Sequence, residues 1–142
     1  MIGKYPAKLD EKNRLFVPAK LRGELGSDFY VTLGVNGGHS CLTVYTAAEW
    51  QRLTDNYNAL SIHQRSGPIS LIFNNAVECN PDKQFRFALT SFLTDYAKIR
   101  RDVMIVGRAG QAEIWAADEY AAYEAENLSP EKLLASLEAI GL

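Results

Sequence analysis

Little in this 142-residue sequence offers itself as a catalytic or metal-binding group, for it has only two cysteines and two histidines. Cys41 and Cys79 lack a neighbouring cysteine or a spaced histidine, whereas a zinc site needs about four such ligands. They read as buried thiols acting as small hydrophobes. His39, near a hairpin turn, and His63, in a connector, stand in no recognisable relation to a nucleophile. No Lys-Ser/Thr pair follows Gly34-Val35-Asn36-Gly37-Gly38, so that stretch reads as a hairpin turn rather than a phosphate loop. No apolar run approaches the roughly 18 residues that cross a bilayer. Residues 1–25 lack the apolar stretch and small-residue cleavage site of a signal peptide. The expectation is a cytosolic protein that is not an enzyme, with no metal, cofactor, membrane contact or small-molecule substrate.

What is present is an ordinary globular composition, with 47% hydrophobic, 11% aromatic and 23% charged residues. That is enough for one domain with a real core. The net charge of −2 conceals a polarity. Lys4, Lys8, Lys12, Arg14, Lys20 and Arg22 near the start face only Asp10 and Glu11. From Glu113 onward Asp118, Glu119, Glu124, Glu126, Glu131 and Glu138 face only Lys132. A polarised molecule can present a basic face despite an acidic total.

The most informative feature is a phrase used twice. Asp10-Glu11-Lys12-Asn13-Arg14 follows one short apolar strand and precedes Leu15-Phe16-Val17-Pro18. Asp82-Lys83-Gln84-Phe85-Arg86 follows Val77-Glu78-Cys79 and precedes Phe87-Ala88-Leu89-Thr90. An acid, three residues and an arginine between strands make a loop that pushes a cation outward while tying down its base. The surroundings repeat as well. In the first half a strand over 2–9 and its return over 14–17 lead to Pro18, which suits the first position of a helix closed by Gly26. Strands over 29–34 and 41–45 then join across Asn36-Gly37-Gly38. Thr46-Ala47-Ala48-Glu49 is a capping box opening a helix that turns Trp50, Leu53 and Tyr57 inward.

In the second half the order recurs, with strands over 75–80 and 87–89, a helix capped by Thr90 or Ser91, and a hairpin over 102–107 and 112–115. Asp118, Glu119 and Tyr120 fall where Ala48, Glu49 and Trp50 stood. Between the halves Gly67-Pro68 should break any helix, leaving a packed connector with Ile69, Leu71, Ile72 and Phe73. After Ser129-Pro130, Leu133, Leu134, Leu137 and Ile140 repeat at helical spacing. That terminal helix packs either on its own subunit, the preferred reading, or on a neighbour.

Tyr5-x-x-x-Leu9-Asp10-x-Lys12-x-Arg14-Leu15-x-x-Pro18-x-x-x-Arg22 resembles the opening motif of the MraZ family of bacterial transcriptional regulators. That family is built from two tandem AbrB-type (SpoVT-AbrB) domains. The resemblance implies an α+β fold in which two swapped-hairpin repeats pair within one chain as a single pseudo-twofold β-barrel flanked by short helices. The repeats would span 1–58 and 74–126, with a connector over 59–73 and a terminal helix over 127–142. It also implies a homo-oligomeric ring, associated with the nucleoid, that binds tandem G-containing direct repeats in double-stranded DNA upstream of a division and cell-wall gene cluster. Two departures stand out. The family has Gly before the loop arginine, where the backbone favours positive φ, and this chain has Asn13 and Phe85. Asn tolerates that region, whereas a bulky side chain there is an outlier. Thr90 replaces a proline, and Thr94 stands where Arg22 stands in the first copy. The second loop is therefore expected to have changed shape.

Chemically, Arg14 carries a planar fork of donors matching O6 and N7 of guanine, and Arg86 is its counterpart. Lys8 and Lys12, with Lys4 as a further candidate and Lys83 in the second copy, would meet phosphates. Asn13 acts first through its backbone. Asp10 and Asp82 would repel phosphate, so their use is to brace the loop and its guanidinium. Two rival readings keep the fold. One is an oligomeric interaction scaffold that has lost DNA reading, and the other a toxin-neutralising partner, which usually has one such half and a disordered tail.

Overall fold

A computed structural model describes all residues 1–142. Eight strands are present: β1 (Lys4–Lys8), β2 (Arg14–Phe16), β3 (Phe29–Asn36), β4 (His39–Thr46), β5 (Val77–Cys79), β6 (Arg86–Ala88), β7 (Asp102–Arg108) and β8 (Gln111–Ala116). The helices are α1 (Arg22–Leu25), α2 (Ala47–Asn58), α3 (Pro68–Asn74), α4 (Ser91–Tyr96), α5 (Ala117–Asn127) and α6 (Pro130–Ala139). A single turn of 3₁₀ helix over Ala19–Leu21 precedes α1. None of the helices is long and apolar enough to cross a membrane.

The two halves are joined by exchange. Six strands form one antiparallel sheet in the order β1-β7-β8-β4-β3-β5, and β2 pairs with β6 as a separate ribbon. Thus β1 lies beside β7 of the second half, and β5 beside β3 of the first. Exchanging the halves maps the strand order onto itself. The pseudo-twofold passes between Leu15 and Phe87 in the ribbon and between Thr43 and Glu113 in the sheet. The α+β fold and its swapped repeats are as expected. The sheet and the ribbon hold the core between them, and no ladder joins one to the other.

Alternation of buried and exposed side chains explains which faces meet. Leu15 and Phe87 of the ribbon are buried against Phe29, Val31, Leu42, Val103 and Ile114 of the sheet. Phe29 and Phe87 make an edge-to-face contact, with centroids 5.1 Å apart. Each such side chain taken from water contributes roughly 1.5–3 kcal/mol. Leu21, Leu25 and Leu93 close the ends of this core from α1, its leading turn and α4. The β3–β4 turn uses Gly37 and Gly38 at φ 58 and 79°, the left-handed pair a tight hairpin demands. Glu113 is 2% exposed, yet it is paired. It accepts from Arg108 Nη1 at 2.9 Å, Trp115 Nε1 at 3.0 Å and Asn36 Nδ2 at 3.3 Å, tying both hairpins together. Burial without those donors would be prohibitive. Cys41 and Cys79 are buried free thiols, both pushed up to about 12, chiefly by burial and then by Glu113 and Glu78 respectively.

Two expectations are corrected here. Gly67-Pro68 does not end helical structure but starts α3, with Gly67 as N-cap at φ 80° and Pro68 in the first turn. Proline is favoured there because that N–H has no helical partner. The aromatic faces of α2 and α3 then meet, the ring centroids of Tyr57 and Trp50 lying 4.1 and 5.1 Å from that of Phe73, while Trp50 also stacks on Tyr30 of β3. Thr90, standing where a proline was expected, caps α4 as the sequence reading anticipated, its hydroxyl accepting from the Leu93 N–H at 3.2 Å. The second correction concerns α6, which starts at Ser129-Pro130 as expected but does not pack on its own subunit. Leu133, Leu134, Leu137 and Ile140 are all exposed.

Helix α5 is held by an unexpected clamp. His39 bridges Glu119 (Nδ1 to Oε2, 2.8 Å) and Glu126 (Nε2 to Oε2, 2.9 Å), with Lys98 also reaching Glu119 at 3.4 Å. Its ring lies against Trp115 and Tyr123. The hydrogen bond to Glu119, then that to Glu126, raises the His39 pKa above 6.5, while the His39 bond lowers Glu119 below 4.5. The histidine's stabilisation is complete below pH 6.5 and is lost as pH rises through its raised value. The carboxylate's part is present above 4.5 and is lost on acidification. The melting temperature should therefore be highest between these limits and decline toward pH 8. His39→Ala should remove that decline. A parent and variant with parallel melting-versus-pH curves above pH 6 would contradict the clamp.

Candidate nucleic-acid interface

Both loops are built the same way, from backbone outward. In the first, Asp10 Oδ1 accepts the N–H groups of Lys12 (2.9 Å) and Arg14 (2.8 Å), and Oδ2 accepts Arg14 Nε at 2.8 Å. The main chain closes beneath, Asn13 N donating to Asp10 O at 3.1 Å and Asp10 N to Arg14 O at 3.0 Å. In the second, Asp82 Oδ1 accepts Gln84 N and Arg86 N, and Oδ2 accepts Arg86 Nε, each at 2.9 Å. Phe85 N donates to Asp82 O at 2.9 Å and Asp82 N to Arg86 O at 3.0 Å.

The expectation that Phe85 reshapes the second loop is therefore overturned. Asn13 and Phe85 sit at φ 56 and 62°, both left-handed. A bulky residue there costs about 1–3 kcal/mol and persists only when its surroundings over-determine it. They do. Phe85 O accepts from Val17 N and Asn13 O from Leu89 N, each at 2.8 Å, so each half pins the other half's loop. The Arg22 guanidinium also lies 3.9 Å over the Phe85 ring, with its Nε donating to Val17 O at 3.0 Å. Thr94, where Arg22 stands in the first copy, is buried on α4 and offers the first loop no such cover. There Asn13 Nδ2 reaches Ser91 Oγ at 3.4 Å instead.

The strain has a measurable consequence. Phe85→Gly relieves the backbone but forfeits a stacking contact of about 0.5–1 kcal/mol and frees the unfolded chain by a similar amount. Stability should stay within about 1 kcal/mol of the parent. Phe85→Ala forfeits the stack and keeps the strain, so it should be the less stable of the two by urea denaturation. Alanine above glycine would refute the left-handed assignment.

Electrostatically the two loops are cations on anionic hinges. Partial desolvation pushes the Asp10 carboxyl up, and the Arg14 N–H, the Arg14 guanidinium and the Lys12 N–H outweigh it, holding it below 3.8. The Arg86 N–H holds Asp82 below the same value, aided by the Arg86 guanidinium and the Gln84 N–H. The brace therefore persists to a lower pH than an ordinary aspartate would allow. The Arg14 and Arg86 side chains are 28% and 27% exposed, and only the Nε of each is used within the chain. The two terminal nitrogens of Arg14 and of Arg86 make no internal hydrogen bond and stay open to solvent. Side chains are thus aimed and held at the base, with their forks unoccupied.

The remaining residues singled out by the sequence divide in two. Lys12 and Lys83 are exposed on their loops without an ion pair. Lys8 is exposed and lies 3.7 Å from Asp102. Lys4 is engaged, Nζ to Glu124 Oε2 at 2.9 Å, so it clamps α5 to β1 rather than standing free. The ribbon separates the arginines, because Arg14 pairs with Ala88 and Arg86 with Phe16 at opposite ends.

Two features escaped the sequence reading. Arg100 and Arg101 are exposed, form no ion pair, and line a cleft of about 370 Å³ with Leu9, Asp10 and Glu11 beside the first loop. Leu9 N donates to Arg101 O at 2.8 Å, which sets them there. Their adjacency in sequence was the available signal. The Arg22–Phe85 stack carried no local signal at all.

Comparison with known proteins agrees with this construction. The sequence model of the family described as "MraZ protein, putative antitoxin-like" matches residues 1–66 and again 72–137. The chain is 33% identical over 144 residues to the transcriptional regulator MraZ of Halothermothrix orenii, covering 99% of both. It is 33% identical over 143 residues to that of Clostridium beijerinckii, again covering 99% of both. With that of Heliobacterium modesticaldum it shares 36% over 124 residues, 86% of this chain and 85% of the other. Two braced Asp–Arg loops on exchanged halves, and a tandem match spanning nearly the whole length, place this chain in the MraZ family.

Proposed function

We propose that this protein is a sequence-specific DNA-binding regulator of transcription, acting in the cytoplasm at the nucleoid as a homo-oligomeric ring on tandem direct repeats. Its target would be the control region of a division and cell-wall gene cluster. The observation that carries this reading is the pair of braces. Asp10 and Asp82 take the Nε of Arg14 and Arg86 and leave both terminal nitrogens of each fork without a partner in the chain. That is the donor geometry that meets guanine O6 and N7 in the major groove. Lys8, Lys12 and Lys83 supply phosphate contacts, and Asn13 holds the loop backbone. Lys4 is left out of this set because Glu124 holds it. The relatives' shared name as transcriptional regulators supports the same role.

Self-association is supported by α6, whose apolar side chains find no partner within the chain. A head-to-tail ring multiplies a weak basic face around an axis, and each engaged loop raises the effective concentration of the next. The scaffold alternative drew on a disrupted second loop, and the intact Asp82–Arg86 brace takes that support away.

Selection from a pool of random duplexes with the full-length protein tests the reading. A recurring G-bearing element should be enriched, and affinity for it should fall linearly in log–log form with salt. No enrichment and no salt dependence would leave a scaffold.

A further inference from the structure

Phe85 is where the second loop departs from the first, and it is spent on no core. The residue is 45% exposed and stands outside the buried apolar cluster. The chain nevertheless holds it at φ 62°, a conformation that favours glycine. Arg22, anchored through Nε to Val17 O, covers one face at 3.9 Å, and part of the side chain stays in solvent. Beside it in sequence stands Arg86, its fork braced and its outer nitrogens free. Phe85 also walls a small cleft of about 280 Å³ with Val17, Arg22, Pro81 and Asp82.

The second loop thus displays an oriented apolar surface next to an oriented guanidinium, where the first displays Asn13 next to Arg14. In the major groove one base carries an apolar group, the C5-methyl of thymine, while guanine offers the acceptors that suit arginine. Resting on the DNA-binding reading, we propose that Phe85 is a specificity-determining residue that packs its exposed ring on a thymine methyl adjacent to the base addressed by Arg86. The two loops of one chain then read different bases despite identical braces. Arg22 acts as a positioning residue, fixing the plane of the ring.

The experiment uses the duplex recovered by selection, with thymines replaced one at a time by deoxyuridine, which removes the methyl and nothing else. At one position per repeat the wild-type protein should bind the uracil duplex about fourfold more weakly, the equivalent of one buried methyl. Phe85→Gly, whose backbone suits the left-handed turn, should bind thymine and uracil duplexes alike. Phe85→Asn, which copies the first loop, should do the same. Arg14→Ala should weaken both duplexes equally and keep their ratio. Insensitivity of the wild type to every replacement, or sensitivity that survives Phe85→Gly, overturns the assignment while leaving DNA binding intact. A wedge inserted between bases would give that first result, because it ignores the methyl. A selection that enriches no duplex overturns the DNA-binding reading and this one together.

Discussion

Arg14→Ala should lower affinity for the selected duplex by about 10- to 100-fold for each loop engaged and flatten base preference at the position it reads. Loss of one cation alone would do less, removing roughly one unit from the salt slope while leaving preference intact. The two effects separate in a single set of anisotropy titrations across salt with matched and mismatched duplexes. Unchanged preference with a reduced slope would demote Arg14 to a phosphate contact. Asp10→Ala then gives a test in which two physical effects have opposite signs. Coulomb attraction alone says that removing an anion beside DNA tightens binding. The brace says the reverse, since Lys12 N, Arg14 N and Arg14 Nε all lose their acceptor. Exposed charge is screened within roughly 8 Å at physiological salt. Ordering a long side chain costs about 0.5–1.5 kcal/mol on binding. The brace should win, with Asp10→Ala binding more weakly than the parent. Tighter binding would mean that the arginine needs no holding.

A double variant, Leu134→Glu with Leu137→Glu, is expected to elute as a monomer and to lose about 10²- to 10⁴-fold in affinity for a duplex of several repeats. Its affinity for a single repeat should barely change, because avidity and not contact has been removed. Both leucines are exposed in the single chain. Charging them therefore leaves the core intact, and the denaturation midpoint should hold. Light scattering coupled to gel filtration gives the mass, and titration of one-repeat and multi-repeat duplexes gives the ratio. An unchanged mass would move the subunit contact away from α6. A monomer that still favoured the longer duplex by the parental ratio would remove assembly from the mechanism.

Much of this was legible locally. The Thr46 cap, the proline at the start of the 3₁₀ turn, the Gly37-Gly38 hairpin and the first Asp–Arg loop are signals carried by neighbouring residues, and each formed where expected. Sequence reasoning misjudged the second loop because it weighed Phe85 by its own backbone preference. That preference is about 1–3 kcal/mol. It was outweighed by Val17 N on the Phe85 carbonyl, by Arg22 on its ring and by three bonds to the Asp82 carboxylate. The misreading of α6 has a similar cause. Helical spacing of Leu133, Leu134, Leu137 and Ile140 announces an apolar face but not what covers it.

By itself, then, the order of residues determined which segments are strands, where the chain turns, and that an arginine tethered to an aspartate appears once in each half. Periodicity and turn chemistry act over a few residues, so they can be read in one dimension. Only tertiary structure decided that β1 and β5 change places, that the ribbon sets Arg14 and Arg86 at opposite ends, and that Arg22 lies over Phe85. It also decided that His39 is shared between Glu119 and Glu126, and that Lys4 is committed to Glu124. Those partners are far apart along the chain, and a polar or charged group chooses among distant candidates only once packing has brought them within hydrogen-bonding reach.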